Sequence, residues 1–249
     1  MTPDPWQQLR RLTTARIALG RTGGSLPTRE LLDFRLTHAA ARDAVQAPFD
    51  GEKLAEVLRT LGREVLCVES AARDRAEFLR RPDLGRKLSD SSRALLENRT
   101  MLEPSDVAIM VSDGLSSLAA IRHGPPLLGA LLPLLVGSGL KVAPLVVASH
   151  GRVALQDEIG ERLHARLSLM LLGERPGLGA PDSLGAYLTY GPHPGMTDAA
   201  RNCLSNIRAE GLPPDEAARK LHYLIAQSLS RGISGVALKD DSPTSPLLQ

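Results

Sequence analysis

Three turns between residues 112 and 179 join glycine to polar side chains directly after an apolar run. They are Ser112-Asp113-Gly114-Leu115-Ser116, Ser149-His150-Gly151-Arg152, and Gly173-Glu174-Arg175-Pro176-Gly177-Leu178-Gly179. If each apolar run is a parallel strand, the turns lie at strand carboxyl ends, where open α/β sheets bind their ligands. Any one of them is ordinary turn chemistry, because glycine reaches positive φ without strain. Three in one sheet imply a crevice and leave its occupant open.

Signatures that would name an occupant are absent. Gly20-Arg21-Thr22-Gly23-Gly24-Ser25 lacks the Lys and Ser/Thr ending of a phosphate loop. Gly177-Leu178-Gly179 runs into Ala180-Pro181 with no third glycine at the dinucleotide spacing. Gly114-Leu115-Ser116 does not complete G-x-S-x-G, since Leu118 stands where the last glycine belongs. No two histidines stand three or four apart, so no helical metal pair exists, and His193, between Pro192 and Pro194, reads as a loop residue. Asp157-Glu158 reads as helix surface and Asp215-Glu216 as a helix start. The residues assign no catalytic set and no metal ligands to this chain.

The elements that position these turns follow from composition and pattern. With 249 residues, 43% hydrophobic and 23% charged, the chain is a folded globular protein of one large domain or two modest ones. Its 30 basic and 28 acidic side chains give +2, without the dense basic face that nucleic acid requires. The 25 arginines against 5 lysines read as compositional bias. Cys67 and Cys203 form no CxxC pair, which argues against a disulfide scaffold or structural zinc and for a reducing compartment. No apolar secretory segment precedes Arg11, and the apolar stretch 125–140 is broken by glycines and proline and short of the roughly 20 residues of a membrane span. The expectation is a soluble intracellular protein.

Periodicity predicts helices over 28–45 (with Thr28 as cap), 51–61, 87–98, 126–136, 153–164 and from about 213. Strands are predicted over 64–68, 107–111, 141–148, 167–172 and 184–190, the third weakened by Pro144 and so expected at an edge or bulge. Strand–helix alternation gives an α/β fold class: a Rossmann-like parallel sheet domain over 101–240, covered by helices on both faces. A helical N-terminal region over 1–100 precedes it, and 241–249 reads as a loose tail.

Several stretches together resemble the small subunit (light chain) of ethanolamine ammonia-lyase, from about Trp6 to Ala237. They are Thr14-Ala15-Arg16-Ile17 with Leu19-Gly20-Arg21, Arg81-Pro82-Asp83-Leu84-Gly85-Arg86, Val111-Ser112-Asp113-Gly114-Leu115-Ser116 and Gly151-Arg152-Val153. Asp157-Glu158-Ile159-Gly160-Glu161 belongs to the same set. The most specific element is Gly173-Glu174-Arg175-Pro176-Gly177-Leu178-Gly179 followed by Cys203-Leu204-Ser205-Asn206-Ile207.

The resemblance implies a subunit of an adenosylcobalamin-dependent lyase converting ethanolamine to acetaldehyde and ammonia. A large barrel-shaped subunit is the implied partner and carries the substrate site. Cobalamin lies between the subunits, base-on, and its cobalt–carbon homolysis starts the radical reaction. The cofactor carries the hard chemistry while protein binds and orients. The absence of a base-off D-x-H-x-x-G motif agrees with this. Carried over residue by residue, the implied cobalamin contacts are Val153, Glu174 and Cys203. Without the resemblance these read as a core residue, a surface loop acid and buried filler. The region 1–100 is expected to pack on both the partner and the sheet domain. The implied location is the bacterial cytoplasm. Family members packaged in an ethanolamine-utilisation microcompartment carry a longer leader, and the start of the shared region near Trp6 sets the expectation against packaging. Two rival readings are a stand-alone α/β nucleotide-binding enzyme using the Asp113 and Glu174 turns, and a structural subunit without cofactor contact.

Overall fold

A computed structural model describes residues 5–13, 15–98 and 103–242. Thr14 of the first matching stretch, the boundary read at residue 100 and residues 243–249 of the expected tail lie outside the described residues. Six strands form one sheet: β1 (Val65–Glu69), β2 (Ser105–Ser112), β3 (Leu145–Ser149), β4 (Ala165–Gly173), β5 (Leu184–Tyr190) and β6 (Arg201–Ile207), in the order β1-β3-β2-β4-β5-β6. Among the described residues seven α-helices accompany them: α1 (Thr28–Gln46), α2 (Gly51–Arg59), α3 (Arg75–Arg80), α4 (Asp90–Glu97), α5 (Ser117–Gly137), α6 (Leu155–Arg162) and α7 (Pro214–Arg231).

The unbroken apolar runs are strands because both faces of the sheet are covered. On β2, Val107, Ile109 and Val111 enter one core with α2, α5 and α7, while Ala108 and Met110 enter the other beneath α4 and α6. A strand buried on both sides needs an apolar residue at every position. The α/β class therefore stands. β1, β3, β2 and β4 are parallel and in a register that brings Val68, Ala148, Ser112 and Leu172 level, so their carboxyl ends form one rim.

Parallel pairing stops at β4, a correction to the sequence reading: β5 and β6 each run antiparallel to their predecessor. Only residues 174–183 separate β4 from β5, fewer than the dozen or so that a parallel crossover needs. β1 comes from the segment read as a helical N-terminal region, yet it pairs with β3 at the edge of the common sheet. β3 begins at Leu145, just past Pro144, and lies between β1 and β2 instead of at an edge. The imino nitrogen is passed before the ladder starts.

α5 begins nine residues earlier than expected, at Ser117. The Ser116 hydroxyl accepts the Ala119 N–H at 3.3 Å, and the prolines at 125, 126 and 133 lie inside the helix. At 21 residues α5 is long and apolar enough to cross a membrane by composition, but Leu127, Leu128, Leu131 and Leu135 are fully buried in the core. α1 has Pro27, not Thr28, at its cap position. α3 and β6 were not expected.

Replacing Ile109, wholly enclosed at the sheet centre, by alanine is expected to cost about 2–5 kcal/mol in urea titrations, whereas Val236→Ala, on the surface, should stay within about 0.5 kcal/mol.

Candidate functional site

The three polar turns meet at the parallel rim, organised by Asp113, which has no exposed surface. One carboxylate oxygen accepts the His150 backbone N–H at 2.7 Å and the Ser112 hydroxyl at 3.1 Å. The other accepts Arg75 Nη1 at 2.8 Å. Burial raises the Asp113 pKa, and the charges of Arg75 and His150 with these hydrogen bonds oppose the rise. His150 takes a left-handed backbone conformation, φ 58°, which turns the chain after β3. Gly151 N–H then donates to the Ser112 hydroxyl at 3.0 Å and Arg152 N–H to the Gly85 carbonyl at 2.7 Å. Arg75 reaches further, with Nε and Nη2 on the Val45 carbonyl at 3.0 and 2.8 Å and Nη1 on the Gly114 carbonyl at 2.6 Å.

The turns after β2 and β4 touch backbone to backbone. Leu115 N–H donates to the Gly173 carbonyl at 2.8 Å. A methyl group on Gly173 would collide with the Ser116 and Asp113 carbonyl oxygens, and one on Gly114, at φ 50°, with the Gly173 carbonyl. Glycine is required here for approach as well as for φ.

Over this rim lies an open cleft of about 1250 Å³. Val153 and Glu174 both line it, with Leu115, Leu172 and Tyr187 as apolar neighbours. The structure thus brings two of the three expected contacts together. Cys203 is not part of the lining; it sits on β6 in register with Tyr187, exposed as a residue, on the strand next to the wall. Glu174 is fixed at both ends: its N–H donates to the Ser183 carbonyl at 3.0 Å, and its Oε2 accepts the Asn206 N–H at 3.1 Å. Desolvation and the Glu174 charge push the Cys203 thiol up, while the Tyr187 hydroxyl pulls it down. The sulfur is a neutral thiol and not a nucleophile poised to ionise. Desolvation, then Cys203 and Glu174, raise the Tyr187 phenol.

Arg152 forms the opposite lip. Its guanidinium stacks over Phe78 at 4.1 Å and donates to the Phe78 carbonyl at 3.2 Å, while Nε is buried without a partner. Burial lowers its pKa, and the positive charges of Arg75, Arg86 and Arg175 lower it further.

Asp157 and Glu158, read from sequence as helix surface, are buried, which corrects that reading. Asp157 receives two hydrogen bonds from Arg201, at 2.6 and 2.7 Å, and the two side chains are 2% and 3% exposed. Arg201 also donates to Thr189 Oγ1 at 3.1 Å and to the Met196 carbonyl at 3.2 Å. The pair ties the helix after Val153 to the strand that carries Cys203, and holds the 194–198 wall of the cleft between them. Glu158 accepts Arg93 Nε at 2.6 Å and the Leu88 N–H at 2.9 Å. Among the described residues, no group of three or more His, Cys, Asp or Glu side chains is placed to hold a metal ion.

A family model described as ethanolamine ammonia-lyase light chain matches residues 3–239. The chain belongs to the ethanolamine ammonia-lyase light-chain family. It is 51% identical over 251 residues to the ethanolamine ammonia-lyase small subunit of Ralstonia nicotianae, spanning 100% of this chain and 93% of that protein. It is 53% identical over 244 residues to the small subunit of Pseudomonas putida, across 97% and 90% of the two chains. For Azotobacter vinelandii the identity is 52% over 248 residues, across 99% and 92%. The chain is therefore a lyase subunit. The resemblance drawn from the Gly-Glu-Arg-Pro-Gly-Leu-Gly and Cys-x-Ser-Asn-Ile elements holds over nearly the whole chain.

Two outcomes follow from this geometry. Gly173→Ala should cost at least about 2 kcal/mol in urea, because backbone must move to admit the methyl group. For Glu158, burial raises the carboxyl, but hydrogen bonds from Arg93 and the Leu88 N–H prevail and hold it below its ordinary value of 4.5. Its stabilisation is complete above that pH and is lost as pH falls through the lower native value. The stability difference between wild type and Glu158→Gln should therefore shrink on acidification below about pH 4.5, and a difference that grows would contradict the assignment.

Proposed function

We propose that this chain supplies one wall of an adenosylcobalamin site completed by the large subunit of a hetero-oligomeric ethanolamine ammonia-lyase, which converts ethanolamine to acetaldehyde and ammonia in the bacterial cytoplasm. One observation carries the reading: Val153 and Glu174 stand on a single open cleft of about 1250 Å³ at the carboxyl rim of the sheet. That exceeds the roughly 300–1,000 Å³ typical of small-ligand pockets. The cleft's chemistry fits a broad apolar macrocycle fringed with carboxamides. Val153, Leu115 and Leu172 offer apolar contact, and Glu174 accepts amide N–H groups.

Adenosylcobalamin would be held by Val153 and Glu174 on this chain's side and would supply the radical chemistry of its cobalt–carbon bond. The chain's residues bind and orient. Glu174 is prepaid for this role, because Ser183 and Asn206 already hold its backbone and one oxygen, which leaves Oε1 for a ligand. Val153 sets a small apolar edge next to the fixed Arg152 turn. Cys203, on the neighbouring strand, lies beside Tyr187 as a neutral contact at the edge of the wall. The radical steps belong to the partner's substrate site.

The test is co-expression with the large subunit, followed by measurement of assembly, cobalamin affinity and ethanolamine turnover for Glu174→Gln and Glu174→Ala. Glu174→Gln keeps an oxygen for Asn206 and loses the charge. Weakening of cobalamin binding by about tenfold or more, roughly the worth of one charge-assisted hydrogen bond, with assembly intact, is expected. Wild-type affinity in both variants would favour a structural subunit without cofactor contact. Turnover by this chain alone would favour a stand-alone enzyme.

A further inference from the structure

Eight of the fourteen large hydrophobic side chains exposed among the described residues lie between Trp6 and Leu36. Trp6 is 63% exposed, Leu12 82% and Leu36 70%. Of the nineteen residues of α1 only Glu30 and Ala44 are buried. A helix that buries only two residues against its own fold leaves most of its surface free for another contact, since most helical stability in proteins comes from packing a face. The arm is nonetheless ordered internally. Arg10 pairs with Glu30 at 3.3 Å, Arg16 donates to the Glu30 carbonyl at 2.8 Å, and the Arg16 guanidinium lies 5.5 Å from the centre of the Phe34 ring. It is a prearranged surface, which lowers the ordering cost of binding.

We infer that residues 5–13 and 15–46 form a docking arm that seats in an acidic, apolar-lined groove of the large subunit, contiguous with the cleft. The inference rests on the reading above for the existence of that partner, and not on what the cleft binds. Three observations select the occupant. First, residues 5–46 carry seven arginines against three acids, while the remainder of the chain has 23 basic and 25 acidic side chains. Two arms laid on each other would oppose like charges, so a second copy is disfavoured and an acidic surface is favoured. Second, the apolar residues do not form one stripe: Leu32 and Leu36 share a face at i, i+4, and Phe34 projects from the opposite side. A flat membrane surface covers one face of a helix, whereas a protein groove covers several. Third, the root of the arm is bolted to the rim. The Val45 carbonyl accepts two hydrogen bonds from Arg75, whose third nitrogen holds Asp113, and the Ala47 carbonyl accepts the Ser117 hydroxyl at 3.1 Å. A partner seated across the cleft therefore reaches the arm without a gap.

The test measures the affinity of purified large subunit for the full chain without cobalamin, for wild type, Leu32→Glu/Leu36→Glu and Arg29→Glu/Arg35→Glu. All four positions are exposed, and glutamate is a good helix former, so circular dichroism should be unchanged. Each double variant is expected to bind at least tenfold more weakly, and the arginine effect should shrink between about 0.15 and 1 M salt. At saturating subunit concentrations the complexes should bind cobalamin as wild type does. Affinities within twofold of wild type in both variants would overturn the inference. So would an arm-dependent dimer of the wild-type chain alone, or leucine-dependent binding to anionic phospholipid vesicles. Because no cobalamin is present in the subunit titration, failure of the cofactor reading leaves this result unaffected, and the Glu174 variants report on that reading separately.

Discussion

A carboxylate with no exposed surface holds the working rim of this protein together. Asp113 sits at the end of β2, and through it the turn after β3, the helix α3 and the root of α1 are tied to one point. Burying an ionised carboxylate is expensive unless a charge and several hydrogen bonds compensate it. Here Arg75, Ser112 and the His150 N–H do so together, with the arginine's remaining donors satisfied by the Val45 and Gly114 carbonyls. The arrangement leaves His150 in a left-handed turn that delivers Arg152 and Val153 to the cleft. A core with apolar residues in these positions would lose that aim even if it kept its stability.

The rest of the site is a consequence of the sheet. Chain order reverses around β2, which is flanked by β3 and β4, so the loops leaving these strands diverge and open a crevice. β5 and β6 extend the sheet antiparallel, returning the chain beside the rim so that Asn206 can hold Glu174 and Cys203 can lie beside Tyr187. The buried pair of Asp157 and Arg201 locks that extension to α6. The result is a rigid, one-sided wall. Such a wall suits the small subunit of a lyase.

How much of this was legible in the sequence depended on the reach of each interaction. The runs at 107–111 and 167–172 declare themselves as strands because burial on both faces demands unbroken apolar residues, and the three glycine-containing turns mark their ends. β6 buries only its end residues Arg201 and Ile207 and carries polar Asn202, Ser205 and Asn206 between them, so no apolar pattern marks it as a strand. Asp157 and Glu158 resemble a solvated helix face because their partners lie 44 and 65 residues away, at Arg201 and Arg93. Prolines at 125 and 126 hide the first turns of α5, whose small residues Ala119 and Ala120 pack without an apolar signal of any size. Residue type alone would not have singled out Val153, Glu174 or Cys203. The family's sequence elements point to them, and in the structure the first two line one cleft while the third lies on the neighbouring strand beside Tyr187.

The most direct test of the rim's dependence on Asp113 is backbone hydrogen exchange in the isosteric Asp113→Asn variant, compared with wild type. The amide of His150 donates to the carboxylate at 2.7 Å, and that of Gly151 to the hydroxyl beside it. The expected result is faster exchange over His150 to Val153 and in the first turn of α3, with the amides of β2 and β4 still protected. Unchanged exchange at His150 and Gly151, or a uniform loosening of the whole sheet, would contradict a rim held by this carboxylate.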